Sequence, residues 1–124
     1  FHEAVSNQVL LNYTNSADLG ISLIENYCLS YYYALPNKMF EFIQANIPVL
    51  CSDFPEMRNI IENFGVGEVV NPEDSYAIAV TINSMISDKD KYNSYVNNCI
   101  KAKEALNWEN EEMKLLKFYE DLYK

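Results

Sequence analysis

The sequence predicts an α/β fold, in which helices cover a parallel sheet. Short apolar runs of strand length occur at 18–23, 49–51 and 68–70. Segments with helical spacing separate these runs, and strands that alternate with helices pair in parallel through right-handed crossovers. Open sheets of this kind bind ligands at the carboxyl ends of their strands. We therefore expect the ligand site among the loops at 24–37, 52–56 and 71–75.

The amino-terminal part of the chain predicts a helix, a strand and an aromatic loop. The helix covers 6–16, because Ser6 is a favoured N-cap residue. Its apolar face consists of Val9, Leu10 and Tyr13. The loop at 25–35 carries Tyr27, Tyr31, Tyr32 and Tyr33. Adjacent exposed aromatic residues in a loop are typical of a binding surface, and the alternative is that one or two of them pack on the core.

The stretch at 35–53 predicts a helix, a tight turn and a buried strand. Asn37 is a favoured N-cap residue, because its side-chain oxygen can accept a hydrogen bond from the first turn. One helical face then carries Met39, Phe40 and Ile43. Asn46 tolerates the left-handed geometry that ends a helix, and Pro48 cannot continue one. The buried strand follows at 49–51.

The rest of the chain predicts one more strand and four helices. The helices cover 54–64, 75–87, 90–105 and 110–123. Pro55 suits a first helical turn, and Gly65 is a natural helix stop. The residues Asn107 and Trp108 form the joint before the last helix.

Length and charge exclude several classes of protein. A chain of 124 residues indicates one domain. Nine basic and 18 acidic residues give a net charge of −9. This sign argues against binding to nucleic acid or to a strongly anionic membrane, because long-range attraction would be absent. One anionic ligand remains compatible with the charge, since the N–H groups of a helix start can bind it.

The cysteine pattern indicates a reducing compartment. Cys28, Cys51 and Cys99 are too few and too far apart for a disulfide framework or a Cys-x-x-Cys metal pair. The sequence has no signal peptide and no apolar run long enough to span a bilayer. We therefore expect a cytoplasmic protein.

Common catalytic motifs are missing from the sequence. Gly20, Gly65 and Gly67 are the only glycines, so neither a P-loop nor a Gly-x-Gly-x-x-Gly loop can form. His2 is the only histidine, no serine has an identifiable histidine partner, and no cluster has metal-ligand spacing. Surface exposure is the simpler interpretation of His2. We expect no metal and no cofactor.

Five segments, taken together in their order and spacing, resemble a known family. They are Ala-Asp-Leu-Gly-Ile-Ser-Leu at 17–23, Pro-Asn-Lys-Met-Phe-Glu at 36–41, Ile-Pro-Val at 47–49, the run at 66–74, and Asn-Trp-Glu at 107–109. The family is that of the retaining group 1 glycosyltransferases, which have the GT-B fold of two Rossmann-like domains. The resemblance covers nearly the whole chain. It implies a Rossmann-like parallel sheet with helices on both faces, with residues 1–124 as the C-terminal portion of the nucleotide-sugar-binding domain.

The resemblance also implies the donor site. Glu41 matches the glutamate that binds the ribose hydroxyls of a nucleotide-diphosphate sugar, and hydrogen bonds to a charged group contribute roughly 1.5–3 kcal/mol each. The backbone at 34–38 would bind the diphosphate, so the remaining donor-binding residues are Leu35, Pro36, Asn37 and Lys38. Without the resemblance, Glu41 is explained by the helix macrodipole, worth roughly 0.3–1 kcal/mol, and Lys38 by a solvated surface.

One position departs from the family pattern. Many members carry a second glutamate eight positions before the ribose-binding one, near the donor sugar. Tyr33 stands at this position, and Glu25, sixteen positions before Glu41, is not a clean substitute, so the resemblance does not extend to the contact with the donor sugar.

The resemblance further implies that the chain is incomplete. The C-terminal domain of the family has more strand-helix units than this sequence predicts, and the residues at 1–3 resemble the tail of a strand. We expect the last half of such a domain, inactive alone, with an open sheet edge that favours self-association. The missing partner is the N-terminal part of an enzyme for polysaccharide biosynthesis, whose acceptor is a glycan or a lipid-linked sugar. Peripheral membrane association of the full enzyme fits this function.

Two other interpretations remain open from the residues alone. In a receiver-like signalling domain, Asp53 at a strand end would accept a phosphoryl group. The late lysine and the acidic pair that such a domain needs are not visible. In a non-catalytic assembly module, the last two helices would dock elsewhere through Trp108, Leu116 and Tyr119.

Overall fold

The computed structural model describes residues 3–123, apart from the side chains of Asn7 and Gln8. Three strands, β1 (Gly20–Ser22), β2 (Val49–Ser52) and β3 (Gly67–Val70), form one parallel sheet in the order β1-β2-β3. The helices are α1 (Asn7–Thr14), α2 (Leu29–Tyr32), α3 (Asn37–Gln44), α4 (Pro55–Phe64), α5 (Ser75–Ser87), α6 (Lys89–Ala102) and α7 (Trp108–Leu122). The predicted α/β class is confirmed.

Helices cover both faces of the sheet, as predicted. Side chains alternate along a strand, so Val49 and Cys51 of β2 pack on one face and Leu50 on the other. The first face is closed by Met39 and Ile43 of α3 and by Met57 and Ile61 of α4. The second face is closed by Met85 of α5. All four residues of β2 are buried, because strands flank it and helices cover it.

Helix α6 lies across the amino-terminal edge of the sheet. Three of its side chains donate hydrogen bonds to carbonyls that precede strands: Tyr92 to Asp18 at 2.9 Å, Asn98 to Gly65 at 2.9 Å, and Cys99 to Ile47 at 3.4 Å. These bonds satisfy backbone acceptors that the sheet leaves unpaired. The carboxyl edge is therefore the one left for a ligand.

The predicted helix stops are confirmed, and one predicted start is wrong. Asn46 and Gly65 both have left-handed backbone geometry, with φ of 60° and 62°, and Pro55 is the first residue of α4. Asn37 is not an N-cap residue. Pro36 holds that position in an extended conformation (φ −73°, ψ 137°), and Asn37 is already helical. The fixed φ of proline suits the residue that enters a helix.

Other boundaries also differ from the predictions. The loop at 25–35 contains the short helix α2. Helix α6 ends at Ala102, before the predicted 105. Helix α7 begins at Trp108, because the side chain of Asn107 caps it by accepting a hydrogen bond from the Asn110 N–H at 2.9 Å. The strand tail predicted at 1–3 falls mainly on Phe1 and His2, which lie outside the described residues, and Glu3 is in no strand.

Two helices, α1 and α7, expose apolar side chains. Val9, Leu10 and Tyr13 of α1 are 39–47% exposed. Helix α7 has no buried residue, and its exposed apolar side chains include Trp108, Leu116 and Tyr119. Strand β1 pairs with β2 only, within residues 3–123, and Ile21 is 46% exposed beside this open edge. No helix in the described range combines the length and hydropathy needed to cross a membrane.

The cysteines are predicted to differ sharply in reactivity. Burial raises the pKa of the Cys51 and Cys99 thiols to about 12, whereas Cys28 is exposed. Because the thiolate is the nucleophile, alkylation of the buried pair at pH 8 should be about 1,000-fold slower than that of an ordinary thiol. Mass spectrometry after iodoacetamide treatment should find one label on the native chain, at Cys28. Guanidinium unfolding should raise this to three, and fast native labelling of Cys51 would contradict the fold.

Candidate functional site

The site lies on α3, whose amino-terminal end is at the carboxyl edge of the sheet. The segment before α3 is anchored there by Ser52, the last residue of β2, which is fully buried. Its hydroxyl accepts a hydrogen bond from the Ile24 N–H at 2.7 Å and donates one to the Ile24 carbonyl at 2.8 Å. These two hydrogen bonds join the end of β2 to the backbone just after β1, and so continue the contact between the two strands. The start of the loop that leads to α3 is thus fixed on the core.

A groove of about 810 Å³ runs along the outer face of α3. Helix α3 contributes Asn37, Phe40, Glu41 and Gln44, whose spacing places them on one side. The segment between α6 and α7, with the first turn of α7, contributes Leu106, Asn107, Trp108, Glu109 and Glu111. Leu11 of α1, Leu35 and Ile60 of α4 complete the lining. The groove is therefore an apolar channel with polar side chains along its length.

Glu41 projects into this groove with a free carboxylate. The residue is exposed, and its side chain has no hydrogen-bond or ion-pair partner among residues 3–123. Met39 and Ile43, on the opposite side of α3, are fully buried and fix the rotation of the helix. The structure therefore presents Glu41 to solvent at a defined place. An unpaired carboxylate can accept hydrogen bonds from two neighbouring hydroxyl groups of a ligand.

The five predicted donor-site residues lie together at the start of α3. Leu35, Asn37 and Glu41 line the groove. Pro36 is the N-cap residue of α3, and Lys38 is exposed in its first turn. Within the backbone predicted to bind a diphosphate, 34–38, the Ala34 N–H already donates to the Tyr31 carbonyl at 3.2 Å.

The N–H groups that remain at the start of α3 are suited to an anion. Pro36 has no N–H, and the Met39 N–H donates to the Pro36 carbonyl at 3.1 Å. In the described part of the chain, no backbone carbonyl accepts from the N–H groups of Leu35, Asn37 and Lys38. Unsatisfied N–H groups and the helix dipole together attract negative charge at this end.

The charged side chains in the lining of the groove are carboxylates. Glu41, Glu109 and Glu111 all line it, and Lys114 pairs with Glu111 at 2.5 Å outside the lining. No lysine or arginine in the described range lines the groove. Glu109 and Glu111 therefore add negative charge to the lining, and Lys38 is an exposed positive charge in the first turn of α3.

Two of the three predicted ligand loops do not line this groove. The loops at 52–56 and 71–75 contribute no residue to it. Asp53 forms a two-point ion pair with Arg58, and the hydrogen bond between them raises the pKa of Arg58. Arg58 also contacts Glu62 at 2.8 Å. The carboxylate of Asp53 is thus already engaged, which argues against a phosphoryl acceptor at this position.

The groove includes three residues that the sequence analysis did not assign to a binding site. Gln44 belongs to α3, Ile60 to α4 and Leu106 to the segment between α6 and α7. The Gln44 side chain donates a hydrogen bond to the Leu106 carbonyl at 2.7 Å. No local pattern predicts a contact between residues so far apart in sequence. Within residues 3–123, no three His, Cys, Asp or Glu side chains are grouped to bind a metal.

One tyrosine of the loop at 25–35 packs on the core, and the other three are exposed. Tyr32 packs on the core beside Phe54, with 5.2 Å between ring centroids. Tyr27, Tyr31 and Tyr33 are exposed, at 77%, 47% and 58%.

Comparison with known proteins identifies the family. Residues 6–102 match the family model of the group 1 glycosyl transferases. The structure resembles that of the sucrose-phosphate synthase from Thermosynechococcus elongatus, with a TM-score of 0.73 and 21% sequence identity over 90% of this chain. That likeness supports the Rossmann-like, GT-B type of fold, and the match spans 27% of the synthase chain. The search of curated proteins gave no match. Because the family model covers most of the sequence, this chain belongs to the group 1 glycosyltransferases.

Proposed function

We propose that the chain forms part of the donor site of a retaining glycosyltransferase. The enzyme would transfer a sugar from a nucleotide diphosphate to a glycan or a lipid-linked acceptor. The observation that carries this proposal is the free carboxylate of Glu41 in a groove that begins at the start of α3. Family membership supplies the reaction class.

In this proposal, Glu41 accepts hydrogen bonds from the two ribose hydroxyls. A ribose offers two adjacent donors, and an ionised carboxylate offers acceptors on both oxygens. The apolar part of the groove, at Phe40, Ile60 and Leu106, would take the base. Among residues 3–123, no lysine or arginine side chain pairs with Glu41, so its acceptors are available to the ligand.

The diphosphate would lie at the start of α3. The N–H groups of Leu35, Asn37 and Lys38 have no backbone acceptor among residues 3–123, which leaves them available to an anion, and Lys38 adds a positive charge. Glu109 and Glu111 disfavour any pose that brings the phosphates close to them, because like charges repel.

We assign to this chain only part of the donor site, and not the acceptor site. We infer that the 124-residue chain alone has no transferase activity, and that further chain supplies the acceptor site and more of the phosphate contacts. The open edge of β1 and the exposed faces of α1 and α7 offer surfaces for that further chain or for self-association. A role in polysaccharide synthesis, action in the cytoplasm with peripheral attachment to a membrane, and independence of metals and cofactors complete the proposed function.

The direct test is nucleotide binding by the complete protein to which the chain belongs. Isothermal titration calorimetry would compare UDP, GDP and ADP with their monophosphates. We expect one diphosphate to bind at least tenfold more tightly than its monophosphate, because the start of α3 adds contacts to the second phosphate. Failure of all three diphosphates to bind would overturn the proposed function.

A further inference from the structure

We propose that Ser52 is a positioning residue of the donor site. Its buried hydroxyl group holds the loop at 25–35 on the sheet, and this loop sets the Leu35 N–H for the outer phosphate of the donor. The inference rests on the proposed function, which places the diphosphate at the start of α3. Ser52 does not line the groove, so it would act only through the loop.

The loop at 25–35 has few contacts of its own that could fix its position. All residues from 25 to 31 are exposed. The backbone hydrogen bonds within the loop are local. The Tyr27 N–H donates to the Glu25 carbonyl at 3.0 Å, and the bonds that form and close α2 join residues three or four positions apart. Such bonds shape the loop without attaching it to the sheet, so its position depends on anchors at its two ends.

Both anchors lie on the segment 52–54, at the end of β2. Ser52 forms hydrogen bonds of 2.7 and 2.8 Å with the backbone of Ile24, just before the loop. Near the other end of the loop, the ring of Tyr32 packs beside that of Phe54, with 5.2 Å between centroids. The Phe54 N–H donates to the Ser52 carbonyl at 2.8 Å, so the two anchors are themselves joined.

The first anchor consists of a single hydroxyl group. It accepts a hydrogen bond from the Ile24 N–H and donates one to the Ile24 carbonyl, so one side chain satisfies both backbone groups of this residue. Ser52 is fully buried, so water has no direct access to its hydroxyl. Removing the hydroxyl leaves two backbone groups without this partner at the point where the chain leaves the sheet. We therefore expect this end of the loop to detach in a fraction of the molecules.

Only one part of the proposed phosphate site belongs to the loop. Leu35 is its last residue, and the Leu35 N–H has no backbone acceptor among residues 3–123. The other proposed contacts, including Glu41, lie on α3, which its own buried residues Met39 and Ile43 hold on the core. Detachment of the loop should therefore weaken the contact with the outer phosphate and spare the ribose and the inner phosphate. The apparent affinity for the diphosphate then falls with the fraction of molecules whose loop is in place.

The test compares the nucleoside diphosphate that the complete protein prefers, among UDP, GDP and ADP, with its monophosphate. Ser52→Ala should weaken calorimetric binding of the diphosphate roughly fivefold or more and that of the monophosphate less than about twofold. Ser22→Ala is the matched control. Ser22 ends β1 and is 7% exposed, and its side chain forms no hydrogen bond among residues 3–123. This control should change neither affinity.

Hydrogen exchange tests the anchor without a ligand. In the complete protein, the amides at 25–34 should exchange roughly tenfold faster in Ser52→Ala than in the wild type, while those of β3 stay unchanged. Ser52→Cys is the second variant, because its thiol is a weaker donor and acceptor of similar size. We expect its exchange rate and its diphosphate affinity to fall between those of the wild type and Ser52→Ala.

The outcomes separate this role from the proposed function. Equal diphosphate affinities of the wild type and Ser52→Ala would overturn the role of Ser52 and leave the proposed function intact. Equal losses for the diphosphate and the monophosphate would overturn it too, since they would indicate damage to α3 or to the whole fold. Unchanged exchange at 25–34 would show that the loop does not depend on this hydroxyl. Absence of diphosphate binding by the wild type would overturn the proposed function, and the role of Ser52 with it.

Discussion

Replacing Glu41 by alanine is expected to weaken binding of the preferred nucleoside diphosphate by roughly 150-fold in the complete protein. Two hydrogen bonds to a charged acceptor, at about 1.5 kcal/mol each, give a loss of about 3 kcal/mol, and every 1.4 kcal/mol is tenfold in affinity. Glu41 is exposed and unpaired in the described residues, so its removal should leave the fold intact. Calorimetry measures the affinity, and circular dichroism checks the fold.

Charge provides the control for this experiment. The chain has a net charge of −9, so removing any carboxylate weakens the general repulsion of an anionic ligand. Glu120→Ala, an exposed position in α7, should therefore leave the affinity unchanged or slightly higher. A large loss with Glu41→Ala then has the opposite sign from the general effect and must come from a direct contact. Equal affinity in Glu41→Ala and the wild type would remove Glu41 from the site.

The ligand can be altered in place of the protein. A 2′,3′-dideoxy nucleoside diphosphate lacks the ribose hydroxyls and should bind the wild type about as weakly as the ordinary nucleotide binds Glu41→Ala. For Glu41→Ala itself, removing the hydroxyls should have little further effect, because their partner is already gone. Additive losses would show that the hydroxyls and Glu41 act independently, which would contradict the proposed contact.

Replacing Gly67 by alanine is expected to destabilise the fold by about 3 kcal/mol or more, at the upper end of what overpacking costs. A Cβ at Gly67 would collide with the backbone carbonyl oxygen of Val49. It would also lie only 2.7 Å from the carbonyl carbon of Val49. Gly67 pairs with Val49 at the start of the β2–β3 contact. The obstacle is backbone of the central strand and cannot turn aside as a side chain can. The strands must therefore separate at this pair.

Urea unfolding followed by circular dichroism measures this loss. Gly20→Ala is the comparison variant, because the three atoms nearest to a Cβ there belong to the side chain of Phe42 and not to a backbone. They include the Phe42 Cβ at 2.8 Å, so this substitution should also destabilise the fold. We expect Gly20→Ala to cost less than Gly67→Ala, and complete loss of cooperative unfolding in Gly67→Ala agrees with the prediction. A cost below about 1 kcal/mol for Gly67→Ala would show that β2 and β3 do not approach as closely as described.

Local patterns predicted the central unit of the fold well. The helix stop at Asn46, the strand at Val49, and the helix that contains Pro55 and stops at Gly65 all occur where the sequence placed them. Proline, glycine and asparagine restrict or permit backbone angles directly, so their effect needs no distant contact. The same holds for the buried strand, whose apolar run suits only an interior position.

Local patterns failed where a neighbouring residue competes. Pro36 and Asn37 both suit a helix start. Pro36 is the N-cap residue of α3, although its side chain forms no capping hydrogen bond. Asn107 was predicted only as a joint, and it caps α7 through its side chain. The apolar spacing of α1 and α7 correctly indicated helices, although these faces are not buried in the described structure. Periodicity reports which face is apolar and does not say what covers it.

The sequence by itself determined the α/β class, the position of α3 and the presence of Glu41 on it, because these depend on backbone restrictions and on spacing within one element. Only the tertiary structure decided that Glu41 lines a groove together with Ile60 and Leu106. It also decided that Asp53 forms an ion pair with Arg58, and that Ser52 is hydrogen-bonded to Ile24. These relations join residues far apart in the chain, so they depend on how the helices pack on the sheet, which no local pattern records.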